Sequence, residues 1–198
     1  MLLLPLALAA CASTKVEGTW MRPGFPEKPI KGPVLVVGVA RDDTLRRIYE
    51  DRLVKLLKAR GLFAMPSYET VPGVLEQDAN EKLMTAARTK GARFLLSSAL
   101  IGEQVEQVVT HEPSMYMGGP YRGWYGSYWG MSYGGRTEVR TYNVLIAQTS
   151  LVDVGEDRIE WTARTRTTVT SDMAAETEAF ADVVIEAMSG AHLVGRPN

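Results

Sequence analysis

The chain has 198 residues, 45% of them hydrophobic, which is enough for one domain of ordinary size with its own core. Lys and Arg number 22 against 23 Asp and Glu, a net charge of −1 without runs of like sign, so there is no basic field to draw in nucleic acid. Cys11 is the only cysteine, which excludes an internal disulfide and dithiol redox chemistry.

Residues 2–10 are apolar but include Pro5, and they fall far short of the ~20 residues of a spanning helix. Leu8-Ala9-Ala10-Cys11 resembles the sequence read by lipoprotein signal peptidase. That resemblance implies a signal peptide over 1–10, removed by cleavage, and acyl chains on Cys11 that make the membrane itself a partner. No Lys or Arg precedes the apolar run, a departure from the usual positive segment that a true start upstream of Met1 would explain. Ala12 and Ser13 follow the cysteine. In lipoproteins of this kind an Asp at that point retains the protein at the inner membrane, so the expected location is the outer membrane, facing the periplasm.

Arg22 to Pro33 holds four prolines in twelve residues, too many for a regular ladder or helix, and residues 11–32 read as a lipid anchor and semi-extended tether. Trp20, Met21 and Phe25 either rest on the headgroup layer or pack back on the domain, and packing is preferred. The domain spans 33–190, with a tail over 191–198. Val34 to Val39 is a continuous β-branched run, as in a strand buried on both faces. Leu45, Ile48, Tyr49, Leu53, Leu56 and Leu57 then mark a helix, capped by Asp or Thr and stopped at Gly61. Leu62 to Tyr68 predicts a short strand, and Pro66 puts it at an edge. A second helix presents Val74, Leu75, Ala79, Leu83, Ala86 and Ala87 and ends at Gly91.

Phe94-Leu95-Leu96 opens a third strand that continues through Ile101, Val105 and Val109. Val139–Asp153 and Arg158–Thr170 predict a hairpin turned by Gly155-Glu156-Asp157, with Ile159, Trp161, Ala163, Thr165, Thr167 and Val169 on the buried face. Met173, Thr177, Phe180, Val184, Ala187 and Met188 form the inner stripe of a closing helix begun by Ser171 or Asp172. The order βαβαβββα predicts an α/β fold: a mixed sheet with helices packed on it, preceded by the lipidated, Pro-rich tether.

Residues 114–135, between the third strand and the hairpin, form a Gly/aromatic insertion. Between Tyr116 and Gly135 lie seven of the chain's sixteen aromatics (8 Tyr, 4 Trp, 4 Phe). Tyr116, Tyr121, Arg122, Trp124, Tyr125, Tyr128, Trp129 and Tyr133 form the candidate binding surface, because rigid rings with polar tips suit recognition. Three roles compete: a stacking platform for glycan, an interfacial belt in lipid, and an anchor for a protein partner. Against them stands a disordered low-complexity loop whose aromatics fold back over the sheet.

Chemistry is hard to assemble from the remaining residues. His111 and His192 are the only histidines and have no metal-ligating spacing. Ser127 follows the first glycine of Gly126-Ser127-Tyr128-Trp129-Gly130 directly, the wrong place for a nucleophile elbow, and no phosphate-cradling loop exists. Asp42-Asp43 reads as a helix cap and Asp153, Glu156 and Asp157 as turn residues, with a weak calcium site at the turn as the alternative. The expectation is no enzyme, no metal and no cofactor.

Gly91-Ala92-Arg93-Phe94-Leu95-Leu96, then Tyr142 to Ile146, Leu151 to Val154 and Ile159-Glu160-Trp161, are similar to the helix-to-strand junction and final hairpin of one envelope group. That group comprises the α/β domains of the curli-secretion channel protein, the Tol translocation protein's N-terminal domain and the penicillin-binding-protein activators. Uncharacterised bacterial lipoproteins with a Gly-Tyr-Trp loop resemble the chain more closely. The resemblance covers residues 33–190 and implies binding and assembly rather than catalysis. The expected function is therefore an outer-membrane lipoprotein, facing the periplasm, that acts as a non-catalytic binding or assembly module on an envelope protein partner. Glycan binding through the aromatic loop is the second reading. An oligomeric secretion channel is third, because such a pore needs two lipid-facing hairpins per subunit and this chain has one insertion.

Overall fold

The computed structural model describes residues 14–25, 28–75, 79–113, 135–169 and 172–195. In chain order these form β1 (Thr14–Met21), β2 (Val34–Val39), α1 (Asp43–Lys58), β3 (Ala64–Pro66), a 3-10 turn (Ser67–Glu69), α2 (Ala79–Thr89), β4 (Phe94–Pro113), β5 (Gly135–Asp153), β6 (Arg158–Thr168) and α3 (Met173–Gly190). The sheet runs β1-β6-β5-β4-β2-β3. It is mixed: β2 is parallel to β3 and β4, whereas β6 is antiparallel to β5 and β1. This is the expected α/β class, with one strand added at the front. By contacts the chain divides into Met1–Glu103 with Val144–Asn198, and a second unit, Gln104–Asn143.

β2 is central because every second residue serves a different layer. Val34 and Val36 join the cluster under α1 and α3, while Leu35 and Val37 join the one under α2. Pro66 closes the short β3 edge, as its missing N–H requires. The first helix starts where Asp42 Oδ1 accepts from the Leu45 N–H at 2.9 Å. It stops at Gly61, whose φ of +79° lets the Leu62 N–H turn back to the Leu57 carbonyl. Gly38, by contrast, is required for space, since a Cβ there would lie 2.9 Å from Cδ1 of Tyr49.

Three features depart from the sequence reading. Residues 14–21, assigned above to the tether, are an edge strand: Thr14 pairs with Thr167 and Met21 with Trp161, and the Thr14 and Thr167 hydroxyls meet at 2.8 Å. The register shift between Val16 and Gly18 sets Glu17 aside and breaks the period of two that would have announced the strand. The Pro-rich stretch after it packs on the domain rather than hanging free. Arg22 binds Glu160 through its backbone N–H and its guanidinium, Phe25 packs on the core, and the buried Ile30 donates to the Leu193 carbonyl. The preference for packing Met21 and Phe25 on the domain agrees with this, whereas Trp20 is 49% exposed.

Second, the buried face of β6 changes phase. Val152 pairs with Ile159 and Leu151 with Trp161, so Glu160 is an extra residue, buried, and Ile159 turns outward at 43% exposure. Third, α3 buries Ala181, Val184, Ile185 and Met188, and Met173 is exposed, so the stripe is rotated from the expected one. That helix is apolar on most sides, which leaves its inner stripe poorly defined by pattern alone. The residues after it are not a free tail as far as Gly195, since Leu193 and Val194 are buried in the core.

Candidate functional site

Cys11, Tyr116, Tyr121, Arg122, Trp124, Tyr125, Tyr128, Trp129 and Tyr133 all lie outside the described residues. What the fold supplies is their attachment. The segment joining β4 to β5 carries the aromatics, and these strands have 20 and 19 residues against six in β2.

The acidic groups singled out for turns and caps do that work. Asp42 caps α1, and Asp153 Oδ1 accepts from the Gly155 and Glu156 N–H groups at 3.0 and 3.1 Å. No metal-binding group of His, Cys, Asp or Glu occurs among the described residues. His192 sits in the turn after α3, in the left-handed region at φ +57°.

The pattern did not expose a buried ion pair at the carboxyl end of β2, the side of an open α/β sheet where ligands often bind. Arg46 and Glu50 have no exposed side-chain surface, and their Nε–Oε1 distance is 2.9 Å. Glu50 Oε1 also accepts from the Gly38 N–H at 3.0 Å and the Ser67 hydroxyl at 2.8 Å. Its Oε2 accepts from the backbone N–H groups of Ser67, at 2.7 Å, and Tyr68, at 3.0 Å. Arg46 in turn donates to Ser67 Oγ and to the Gly73 carbonyl. The pair therefore ties α1, the end of β2 and the β3–α2 connection together, and its hydrogen-bonding capacity is spent internally. Residues 46, 49, 50, 53 and 57 share one helical face, so the spacing of Arg46 and Glu50 with Tyr49, Leu53 and Leu57 was the available signal.

Beside it runs a chain of buried hydroxyls. Tyr49 Oη lies 2.5 Å from Ser98 Oγ, which lies 2.7 Å from Thr149 Oγ1, and the Tyr49 ring stacks on Phe180. Burial pushes the Tyr49 phenol well above its ordinary value of 10. Tyr68 is pushed up to about 12, first by donating to Asp51 at 2.7 Å and then by burial. Both phenols keep their protons in the folded state where the unfolded chain has begun to lose them. The stability they confer is thus complete below pH 10 and is lost as pH rises, over 10 to about 12 for Tyr68 and from 10 upward for Tyr49. Urea midpoints should fall between about pH 10 and 12, and less steeply in Tyr49→Phe. An equal slope in wild type and variant would contradict this.

On the side of the sheet away from α1 and α3, β1 and β6 carry exposed residues. Register pairs Lys15 with Arg166, Gly18 with Arg164 and Trp20 with Thr162, and β6 pairs Arg164 with Gln148. Lys15, Trp20, Arg164 and Gln148 are exposed there. Ile159 joins them, since its partner Val152 packs on the α2 side of the sheet. Glu17 binds Arg164 at 2.9 Å.

No family model matches the chain, and no curated protein matches it in sequence. Solved structures that it is similar to include a single-substitution variant of the PelC dodecamer from Paraburkholderia phytofirmans. The identity is 17% and the TM-score 0.48, over 92% of this chain and 99% of that one. A second PelC dodecamer structure from that organism gives 16% and 0.45, over 91% and 98%. Lipoprotein GNA1162 from Neisseria meningitidis gives 10% and 0.41, over 80% and 98%. At these values the likeness assigns no role to any residue of this chain.

Proposed function

We propose that the chain is a lipid-anchored module of the bacterial outer membrane, facing the periplasm, that binds and helps assemble another envelope component without catalysing a reaction. Acyl chains on Cys11 hold it to the membrane, and the aromatic segment 114–135 makes the contact, with a protein as the favoured partner. The observation that supports this best is the attachment of that segment. Seven aromatics sit between two strands of 20 and 19 residues, far longer than β2 or β3. Long connections in compact domains are usually functional when they are ordered, and Tyr and Trp dominate contact energies at interfaces. Leu100, Ile101 and Val105 of β4 are exposed. No described helix is long and apolar enough to cross a membrane.

Cys11→Ser should move the protein from the membrane fraction to the soluble fraction, since a thioether-linked anchor cannot form. Removal of residues 114–134 should leave that partition unchanged while abolishing in-cell crosslinks to the partner. Retention of Cys11→Ser on membranes would defeat the anchor, and unchanged crosslinks after the deletion would defeat the contact site. Glycan stacking is the second reading, and a Trp fluorescence shift on adding peptidoglycan fragments would favour it over a protein partner.

A further inference from the structure

β1 and β3 are the two edges of the sheet, and they are not alike. β3 has three residues and is closed by Pro66, a common device against further pairing. β1 has eight residues without a proline, all but Thr14 and Met21 exposed, and no described strand lies on its outer side. The register shift between Val16 and Gly18 interrupts the first half of this edge, which leaves residues 18–21 as its regular part.

The direction of the backbone groups in that stretch follows from one hydrogen bond. The Arg22 N–H donates to the Glu160 carbonyl at 2.9 Å, next to the pair formed by Met21 and Trp161. In an antiparallel ladder a pair flanked in this way is the non-hydrogen-bonded kind, and the two kinds alternate along the strand. Trp20 therefore directs its N–H and C=O to β6. Thr19 and Met21 direct theirs outward, where they meet no partner among the described residues. Beside this edge, a groove between β1 and α3 is lined by Val16, Thr19, Val183, Ala187 and Gly190, and a further strand on β1 would close it.

We propose that β1 pairs antiparallel with β1 of a second copy of this chain, about a two-fold axis through Trp20, so that two six-stranded sheets become one. The edge complements itself in this register. Thr19 of each copy exchanges backbone hydrogen bonds with Met21 of the other, which uses every outward group of the regular stretch. Trp20 faces Trp20 in a non-hydrogen-bonded pair, where side chains approach most closely, and each indole, 49% exposed in one copy, covers the other. Gly18 lies opposite Arg22, so no like charges meet. An axis through Thr19 would instead set Met21 against Glu17, the residue that the register shift puts out of line. A strand from an unrelated protein would satisfy the same backbone groups but would not supply the paired indoles.

The test is the oligomeric state of the full chain in detergent, read by sedimentation velocity with the micelle density-matched. A dimer is expected, and Thr19→Pro should convert it to a monomer at the same concentration. Proline at that position removes an outward N–H only, so the pairing with β6 and the far-ultraviolet circular dichroism should be retained. Position 20 is read independently in the Cys11→Ser chain, where an introduced cysteine is the only thiol. Trp20→Cys should oxidise to a disulfide dimer about tenfold faster than Lys15→Cys, because Cα atoms of a non-hydrogen-bonded pair lie about 4.5 Å apart, within disulfide range. A wild-type monomer, a dimer that survives Thr19→Pro, or equal crosslinking at positions 15 and 20 would overturn the pairing.

Discussion

Glu50→Ala is expected to destabilise the protein by about 3–5 kcal/mol, because it leaves the Arg46 guanidinium buried without its counter-charge. The loss extends beyond one pair. The backbone N–H groups of Gly38, Ser67 and Tyr68 all lose their acceptor, and an unsatisfied buried donor costs about 1–3 kcal/mol in its own right. Replacing both charges, as in Arg46→Met with Glu50→Leu, removes the unpaired cation but does not restore those acceptors. The double variant should therefore be more stable than Glu50→Ala and still less stable than wild type. Urea unfolding of the three proteins measures the order, and a double variant as stable as wild type would show that the backbone donors find other partners. Amide exchange at Ser67 and Tyr68 should rise in Glu50→Ala, since their hydrogen bonds end on its carboxylate.

Trp161→Ala should cost about 3–5 kcal/mol, the range for deleting a large, fully buried aromatic, while Ile159→Thr should stay within about 0.5 kcal/mol. Simple alternation along β6 would place both residues on the core face and give both a large cost. The register shift at Leu151 and Val152 separates them: Trp161 is completely enclosed with Leu151 and Ala163, and Ile159 faces solvent. Trp161→Phe should be milder than the alanine change, because a ring remains and the indole N–H, which meets no acceptor among the described residues, is removed with the rest. Equal losses for Ile159→Thr and Trp161→Ala would mean that the bulge is absent in solution.

The bulge also explains Glu160. Its carboxylate is 1% exposed and is held by Arg22 at 2.5 Å and Arg158 at 3.3 Å. Arg22 follows β1 directly, so one buried acid secures both the irregular strand and the chain that leaves the edge. The same contact fixes the path of the Pro-rich stretch, which composition alone describes as a tether.

Much of the fold could be read locally. The run from Val34 to Val39 marked a strand buried on two faces, and it lies inside the sheet between β4 and β3. Asp42 and Gly61 bracket α1, and the Gly155-Glu156-Asp157 turn joins β5 to β6. These features depend on backbone preferences and periodicities that reside within a few residues of one another. By itself the sequence also determined what is available for chemistry: one cysteine, two histidines and a dense patch of rings.

Only the tertiary structure decided where the irregular and charged residues go. Thr14–Met21 is a strand because β6, some 150 residues later, offers it an edge, and no local pattern records that offer. Arg46 and Glu50 can be buried because the end of β2 and the turn after β3 bring amides and a hydroxyl to them from distant parts of the chain. Burial of a charge depends on the partners that surround it in three dimensions, and a bulge depends on the strand beside it. Neither condition is written in the spacing of residues along one segment.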